Sequence, residues 1–257
     1  MNGLPDGPRI AAVSGASAGI GRAIAVALGG LGWSVAVGAR RVGRLEETAR
    51  LVADAGGTPF AHQLDVSDPA SIDRFVGAVN AALGPIDALV NNAGVAAPGA
   101  LHEMADDDHA RILTTNLLGP ILLTKRVVAS LRERRVPGDV VFVSSDVSRN
   151  IRPYLGTYGV SKAGVEAFAT VLALECEDVA IRSSIVRVGP TTTGFADGWD
   201  LEQFAEIIPQ WNRFGIQRHF NTMQPDDVAR AVVSIVTAPP HMWVPVVEVQ
   251  PRPPGSE

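Results

Sequence analysis

A turn with three glycines, set between two apolar segments, is the feature that most restricts how this chain can fold. The apolar run from Ile10 to Ser14 leads into Gly15-Ala-Ser-Ala-Gly19-Ile-Gly21 and then into an apolar stretch ending near Leu28. This order predicts a buried strand, a tight turn and a helix. Glycine lets the backbone approach a ligand closely, and a helix N-terminus offers free N–H groups to an anion. We therefore expect a pyrophosphate-binding turn, although an ordinary glycine-rich loop has the same composition.

Strand-then-helix alternation continues along the chain without a linker. Further strands are predicted at 34–38, just before 64, and at 87–91, 139–144, 180–187 and 244–249. Hydrophobic residues make up 46% of the chain, which is ample for a core. The pattern predicts one doubly wound α/β domain over residues 1–257, with about seven mostly parallel strands and helices on both faces.

Tyr158, Lys162 and Ser145 are the clearest candidates for chemistry. Tyr158 and Lys162 are four residues apart, on one face of a helix, and Ser145 follows an apolar strand thirteen residues before the tyrosine. A nearby ammonium lowers a tyrosine pKa from its ordinary value of about 10. Such a tyrosine can exchange a proton with an oxygen that gains or loses a hydride. The pair alone also recurs by chance on exposed helix faces.

Several motifs together resemble the short-chain dehydrogenase/reductase family, in its compact single-domain, NADP-preferring branch. They are the Gly-x-x-x-Gly-x-Gly turn, Asn91-Asn92-Ala93-Gly94 and Tyr158-x-x-x-Lys162, and the resemblance runs from Ile10 to about Pro251. It implies a Rossmann-type fold and NADP(H)-dependent interconversion of a carbonyl and a secondary alcohol by hydride transfer.

The resemblance also assigns catalytic roles. It implies that Tyr158 is the general acid/base, that Lys162 binds ribose and lowers the tyrosine pKa, that Ser145 positions the substrate, and that Asn116 belongs to a proton relay. Pro120 has no N–H and cannot donate to the carbonyl of Asn116, four residues earlier. We therefore expect that carbonyl to be free to hold a relay water.

The end of the second strand indicates which nicotinamide cofactor binds. Ala39 stands where NAD-preferring family members carry aspartate, and Arg40 follows it. A guanidinium can bind a 2′-phosphate, with the Ser17 hydroxyl assisting, whereas Arg40 and Arg41 would otherwise be solvated loop cations. NADPH is predicted over NADH. The predicted cofactor-binding residues are Gly15, Ser17, Gly19, Ile20, Gly21, Arg40, Asp65, Val66, Asn91, Ala93, Gly94, Tyr158, Lys162, Gly189, Thr191 and Thr193.

Two of these assignments have open alternatives. Asp65 is equally compatible with a helix-capping turn, because Ser67-Asp68-Pro69 begins a helix. At Gly189 the family usually has proline before the glycine, and this chain has Val188, with Pro190 after it. The geometry of that loop is therefore left open.

Aromatic residues concentrate in a segment that the family uses as a lid, at about 191–222. Phe195 and Trp199 lie within it and, with Ser145 and Asp146, are the predicted substrate contacts. An aromatic lid suits a bulky apolar carbonyl compound, although such rings can equally pack the lid helices or a subunit interface. Arg149 and Arg152 could bind an acidic group of the substrate or be exposed loop residues.

Charge and cysteine content narrow the possible partners. The net charge of −5 argues against nucleic acid and anionic membranes as partners. A single cysteine, Cys176, excludes an intrachain disulfide and fits a cytoplasmic location. No metal site is predicted, and the family resemblance implies a homodimer or homotetramer.

The main alternative to an oxidoreductase is a catalytically idle NADP-binding sensor or interaction protein. The complete set of Ser145, Tyr158 and Lys162 argues against it. A nucleotide-sugar epimerase or dehydratase fits less well, because such chains are longer and lack the Asn-Asn-Ala-Gly motif. Among reductases, a 3-oxoacyl reductase, a steroid or polyol dehydrogenase and an antibiotic-pathway enzyme all remain open.

Overall fold

Seven parallel strands form one sheet in the computed structural model, which describes residues 9–196, 199, 201–216 and 219–255. The strand order is β3-β2-β1-β4-β5-β6-β7, and each neighbouring pair is parallel. The strands are β1 Ile10–Ser14, β2 Ser34–Ala39, β3 Thr58–Gln63, β4 Ala88–Asn91, β5 Gly138–Ser145, β6 Ile181–Val188 and β7 Val246–Val249. The predicted fold class is confirmed.

Eight α-helices flank this sheet in the described part of the chain. They are α1 Gly19–Gly29, α2 Val42–Asp54, α3 Pro69–Ala82, α4 Asp106–Leu113, α5 Gly119–Arg134, α6 Gly156–Glu175, α7 Leu201–Arg213 and α8 Pro225–Val236. The predicted lid at about 191–222 contains α7, and its residues 197, 198, 200, 217 and 218 lie outside the described set.

Two apolar cores cover the two faces of the sheet. One joins β1 and β2 to Ile24 of α1, Leu45 of α2 and Val232 of α8. The other packs Phe75 of α3 and Leu123 of α5, together with residues of α6, against the opposite face. Parallel strands buried on both sides need apolar residues at almost every position, which explains the continuous valine and alanine runs.

The sheet order places β1 beside both β2 and β4. Chain connections therefore diverge at the carboxyl ends of β1 and β4, where a crevice opens in folds of this type. At the amino-terminal ends of the strands, ion pairs join distant parts of the chain. Arg9 Nη1 donates to Asp139 Oδ2 at 2.6 Å and to the carbonyl of Val236 at 3.1 Å.

The helical segment 106–134 is long and apolar enough, by length and composition, to cross a membrane. Within the fold its inner face is buried, with Leu123, Val127 and Leu131 in one of the two cores. Core helices of globular proteins meet the same criterion, so this property is weak evidence for a membrane span.

Candidate active site

The glycine turn after β1 is braced by the end of β4. Asn92 Nδ2 donates to the carbonyls of Ser14 and Gly15 at 3.0 and 3.3 Å. Ser14 Oγ accepts the N–H groups of Asn92 and Ala93 at 3.0 and 3.1 Å. A Cβ on Gly21 would lie 2.4 Å from both Asn92 Nδ2 and the Gly15 carbonyl oxygen. Only glycine fits there, so the predicted turn is closed by contacts with a distant strand.

Helix α1 presents an uncapped N-terminus above this turn. Its N-cap is Ala18, without a side-chain hydrogen bond, and its first turn, Gly19 with Ile20 and Gly21, has no acidic residue. Gly15 and Gly19 have φ values of +69° and +53°, in the left-handed region that favours glycine. An uncapped, positively polarised helix end fits the pyrophosphate of a dinucleotide.

Arg41, rather than Arg40, contacts the serine of the glycine turn. Arg41 Nη2 donates to Ser17 Oγ at 3.2 Å. Arg40 is exposed, and its charge acts on Asp65. Burial acts to raise the pKa of Asp65, but the hydrogen bonds from Ser67 and the charge of Arg40 lower it. This contact of Arg41 was not predicted, and its only signal in the sequence is a second basic residue directly after the strand.

Asp65 shapes the turn after β3. Its Oδ1 accepts the N–H and the hydroxyl of Ser67 at 2.9 and 2.6 Å. The cap of α3 is Asp68, whose Oδ1 accepts the N–H of Ala70 at 2.9 Å. Asp65 therefore shapes the turn before α3 but is not its cap, and its contact with a cofactor stays a prediction.

Two other predicted cofactor residues face helix α5. Asn91 Nδ2 donates to Thr124 Oγ1 at 2.9 Å inside the core. The Val66 carbonyl lies so close to Gly119 that a Cβ there would be 2.6 Å from its oxygen. The Asn91 side chain and the Val66 carbonyl therefore pack the helix against the sheet.

Ser145, Tyr158 and Lys162 come together at the carboxyl end of β5. Ser145 is the last residue of β5, and the other two lie in the first two turns of α6. The Ser145 hydroxyl is close enough to Tyr158 to lower its pKa. Lys162 Nζ donates to the Val143 carbonyl at 2.8 Å and lies 5.8 Å from the centre of the Tyr158 ring. The three residues singled out from sequence spacing thus form one cluster.

The predicted lowering of the tyrosine pKa is wrong for this arrangement. Burial raises the pKa of Tyr158 to about 12, outweighing the lowering effect of the Ser145 hydrogen bond and the Arg152 charge. Burial also lowers the pKa of Lys162 to about 8, against the opposing charge of Glu166. Desolvation favours the neutral form of both groups, and the spacing Tyr-x-x-x-Lys contains no information about burial.

Asn116 lies in a single π-helical turn, Thr114–Leu118, between α4 and α5. Its Oδ1 accepts the N–H of Val95 at 2.8 Å, and its Nδ2 donates to the Val95 carbonyl at 2.8 Å and to Ser161 Oγ at 3.1 Å. A Cβ on Gly94 would lie 3.4 Å from Asn116 Oδ1 and 3.6 Å from Lys162 Nζ. Asn116, Gly94 and Lys162 are therefore neighbours, and the part of Asn116 in a proton relay stays a prediction.

The loop after β6 reaches back towards the glycine turn. The N–H of Gly189 donates to the Val249 carbonyl at 2.9 Å, and Thr191 Oγ1 donates to the Gly189 carbonyl at 3.0 Å. A Cβ on Gly19 would lie 3.3 Å from Thr193 Cγ2. Thr193 thus lies against the glycine turn, and Gly189 and Thr191 belong to the same loop.

Asp146 and Arg152 form a closed ion pair beside Ser145. The two Arg152 Nη groups donate to the two Asp146 carboxylate oxygens at 2.8 and 2.6 Å, and Arg152 stacks over the Trp211 ring at 5.7 Å. The Ser145 hydroxyl donates to Asp146 Oδ1 at 3.3 Å. Arg152 already has a carboxylate partner, whereas Arg149 is exposed.

Aromatic residues of the predicted lid cover Tyr158. The Phe195 ring centre is 5.7 Å from that of Tyr158 and 6.5 Å from that of Trp199. Tyr158 is only 9% exposed. Near this cover is a cavity of about 540 Å³ with mostly apolar walls, lined among others by Leu101, Met104, Ile151, Tyr154, Phe214 and Ile216. In the part of the chain that the structure describes, no group of three or more His, Cys, Asp or Glu could hold a metal ion.

Comparison with known proteins was consistent with this geometry. Residues 9–203 match the family model described as short chain dehydrogenase. The chain is 32% identical over 98% of its length to glycine betaine reductase of Emericella nidulans, and it spans only 20% of that protein. It is 30% identical to dehydrogenase/reductase SDR family member 11 of Bos taurus, over 95% of this chain and 96% of that one. An alcohol dehydrogenase from the archaeon Thermococcus sibiricus, complexed with 5-hydroxy-NADP, superposes with a TM-score of 0.81 at 29% identity, covering 97% of this chain and 100% of the other.

Proposed function

Because the chain belongs to the short-chain dehydrogenase family, and is therefore an oxidoreductase that binds a nicotinamide cofactor, we propose that it interconverts a carbonyl and a secondary alcohol. The observation that carries this proposal is the cluster of Ser145, Tyr158 and Lys162 at the sheet edge that also holds the glycine turn. A protein that only bound the cofactor would not need these three side chains together.

Tyr158 acts as the proton donor during reduction. When bound, the nicotinamide supplies the hydride. Burial keeps the Tyr158 phenol protonated near neutral pH, which is the form that can donate to the oxygen of the reduced carbonyl. The Ser145 hydroxyl, at the end of β5 beside Tyr158, holds that oxygen within reach of the proton.

Lys162 and Asn116 complete the site. Lys162 offers its ammonium to the ribose hydroxyls, and its pKa of about 8 leaves most of it charged at neutral pH. The Asn116 main-chain carbonyl, which Pro120 cannot engage, holds a water that returns a proton to the site through the lysine.

We assign NADPH as the preferred cofactor. Ala39 leaves no carboxylate at the end of β2 to repel a 2′-phosphate. Ser17 and Arg41 are already hydrogen-bonded to each other there, and Arg40 is exposed beside them, so two guanidinium groups are available for charge-assisted hydrogen bonds. The 5-hydroxy-NADP bound to the archaeal alcohol dehydrogenase supports this assignment.

A bulky, uncharged carbonyl compound is the proposed substrate. The Asp146–Arg152 pair is internally neutralised, and Phe195 and Trp199 supply apolar surface over Tyr158. The nearby cavity of about 540 Å³ has mostly apolar walls. Apolar pockets with few polar groups favour ligands that bury hydrocarbon surface.

The protein is proposed to work as a homodimer or homotetramer in the cytoplasm. Val160, Val171 and Leu174 are 63%, 49% and 65% exposed on the outer side of α6, so they form an apolar face that a second copy could cover. The single buried cysteine, Cys176, is compatible with a reducing compartment.

The deciding experiment follows NADPH and NADH oxidation with a panel of ketones, diketones and 3-oxoacyl esters. Tyr158→Phe keeps the ring packing and removes the proton donor, so it is the matched control. We expect turnover with NADPH that this variant abolishes. Tight NADPH binding with no turnover on any panel member would instead favour the idle binding protein.

A further inference from the structure

One carboxylate that the proposed reaction does not use lies next to the catalytic residues. Glu166 follows Lys162 by one helical turn on α6 and is 9% exposed. Its Oε1 accepts the hydroxyls of Ser144 and Ser148 at 2.7 and 2.6 Å. These two serines lie on either side of Ser145 in the sequence. Glu166 therefore ties the turn that carries the catalytic serine to the helix that carries the tyrosine and lysine.

The same carboxylate binds Arg187 of β6, which in turn binds β7. Arg187 of β6 donates through Nε to Glu166 Oε1 at 3.1 Å and through Nη2 to Oε2 at 2.8 Å. Arg187 Nη1 also donates to Glu248 Oε2 of β7 at 2.9 Å. Arg187 is two residues before Gly189, so the network extends to the loop that borders the cofactor crevice.

Glu166 is held in its ionised form by these partners. Burial acts to raise its pKa, but hydrogen bonds from Arg187, Ser148 and Ser144 lower it. Its charge in turn opposes the loss of the Lys162 proton that burial favours. Glu166 is the charged group that acts on the lysine, whereas the Val143 carbonyl of β5 and the ring of Tyr158, which also lie against it, are uncharged.

We propose that Glu166 is a positioning residue for the reaction: its carboxylate fixes Ser145 relative to Tyr158 and maintains a negative charge one helical turn from Lys162. This inference rests on the proposed function, in which Ser145, Tyr158 and Lys162 are the catalytic residues. Its geometric basis is independent, because four donors from β5, the turn after it and β6 converge on one carboxylate. A simple Arg–Glu pair would not need the two serine hydroxyls.

Lysine titration tests the electrostatic half of the proposal without any turnover. The chain has only two lysines, Lys125 and Lys162, so NMR of protein labelled with ¹³C-lysine gives two side-chain signals, which Lys125→Arg assigns. We expect Glu166→Gln to lower the Lys162 pKa, because the amide carries no charge. Glu175→Gln, the same change on the exposed last turn of α6, should leave it in place.

Steady-state kinetics test the positioning half. Glu166→Gln should lower kcat by about 10- to 100-fold, as small misplacements of reacting groups do. It should also move the fall in rate at alkaline pH to lower pH, while NADPH affinity stays unchanged at pH 6, where we expect Lys162 to be charged in both proteins. Ser148→Ala removes one donor without altering charge, so it should lower kcat and leave the fall in rate at the same alkaline pH.

The results separate this inference from the proposed function. A Lys162 titration and a kcat that are both unchanged in Glu166→Gln would overturn the inference. So would a loss of kcat matched by a loss of folding or NADPH binding, with no change in the lysine titration. If Glu166→Gln does not fold, Glu166→Asp replaces it. We then expect a reduced kcat and a fall in rate at the same alkaline pH as in the wild-type protein. A shifted lysine titration in a protein that reduces no carbonyl would count against the proposed function alone.

Discussion

At the scale of single residues, the basic pair after β2 is expected to select the cofactor. Arg41 is hydrogen-bonded to Ser17, which belongs to the proposed site of the 2′-phosphate. Arg41→Ala should therefore remove charge-assisted hydrogen bonds to that phosphate. We expect NADPH affinity to fall by about 10- to 100-fold, because a hydrogen bond to a charged group contributes about 1.5–3 kcal/mol to the binding free energy. NADH affinity should not change, and Arg40→Ala should have a smaller effect. Fluorescence titration of both cofactors measures the ratio, and a ratio unaltered in both variants would refute the assignment.

Tyr158 and Lys162 should give the two reaction directions different pH dependences. Reduction needs the protonated phenol and the ammonium, so its rate should be level near neutrality and fall as pH rises through about 8, where Lys162 loses its proton. Oxidation needs the phenolate, whose pKa of about 12 makes it rare at neutral pH. The ratio of oxidation to reduction rate should therefore rise with pH. Initial rates in both directions between pH 6 and 10 test this, and a ratio independent of pH would contradict the assigned role of Tyr158.

Residue spacing predicted which candidate side chains come together, but not what surrounds them. Ser145, Tyr158 and Lys162 were recognisable because a short helix and a strand end fix their relative positions. Arg41 and Glu166 were missed, since their importance depends on partners such as Ser17 and Arg187 that lie 24 and 21 residues away. The sign of the Tyr158 pKa shift was wrong for the same reason: burial depends on the whole fold.

At the scale of elements, the π-helical turn at Thr114–Leu118 has a local cause. Gly119 donates to the Thr114 carbonyl, five residues earlier, and Pro120 has no N–H to restore the regular pattern. Pro120→Ala should allow a hydrogen bond to the Asn116 carbonyl and replace the π turn by a regular helix. Because the relay water then loses its acceptor, turnover should fall by about 100-fold, the lower end of what a positioned proton-transfer group contributes. A crystal structure and kcat of the variant measure both effects. If neither the turn nor kcat changes, the proline has no part in the relay.

Strands and helices were more predictable than this interruption. The strand expected at 139–144 is observed at Gly138–Ser145, and that expected at 180–187 is observed at Ile181–Val188. Apolar runs in a parallel sheet are long and bounded by polar turns, so their limits can be read from sequence. A π turn adds one residue to a helical turn and leaves the apolar pattern almost unchanged, so the residue pattern around Asn116 contains no signal for it.

At the scale of the whole molecule, the exposed face of α6 should govern assembly. Val171 and Leu174 are 49% and 65% exposed in the isolated chain. Replacing both by glutamate places two charges on this surface. We expect the wild-type protein to be a dimer or tetramer and the double variant to be a folded monomer. Light scattering after gel filtration measures the mass. Leu51→Glu on α2, at a residue that is 41% exposed, is the control, and equal masses for all three proteins would exclude this face as the interface.

The braces between distant strands also determine when the protein becomes competent during its synthesis. Asn92 is hydrogen-bonded to the start of the glycine turn, 78 residues before it. Arg9 is hydrogen-bonded to Asp139 and Val236, which follow it by 130 and 227 residues. A ribosome delivers the chain from its N-terminus, so β1 emerges long before the partners that hold it in place. The nucleotide pocket thus matures late in translation, and a nascent chain arrested before β4 should not yet retain its cofactor.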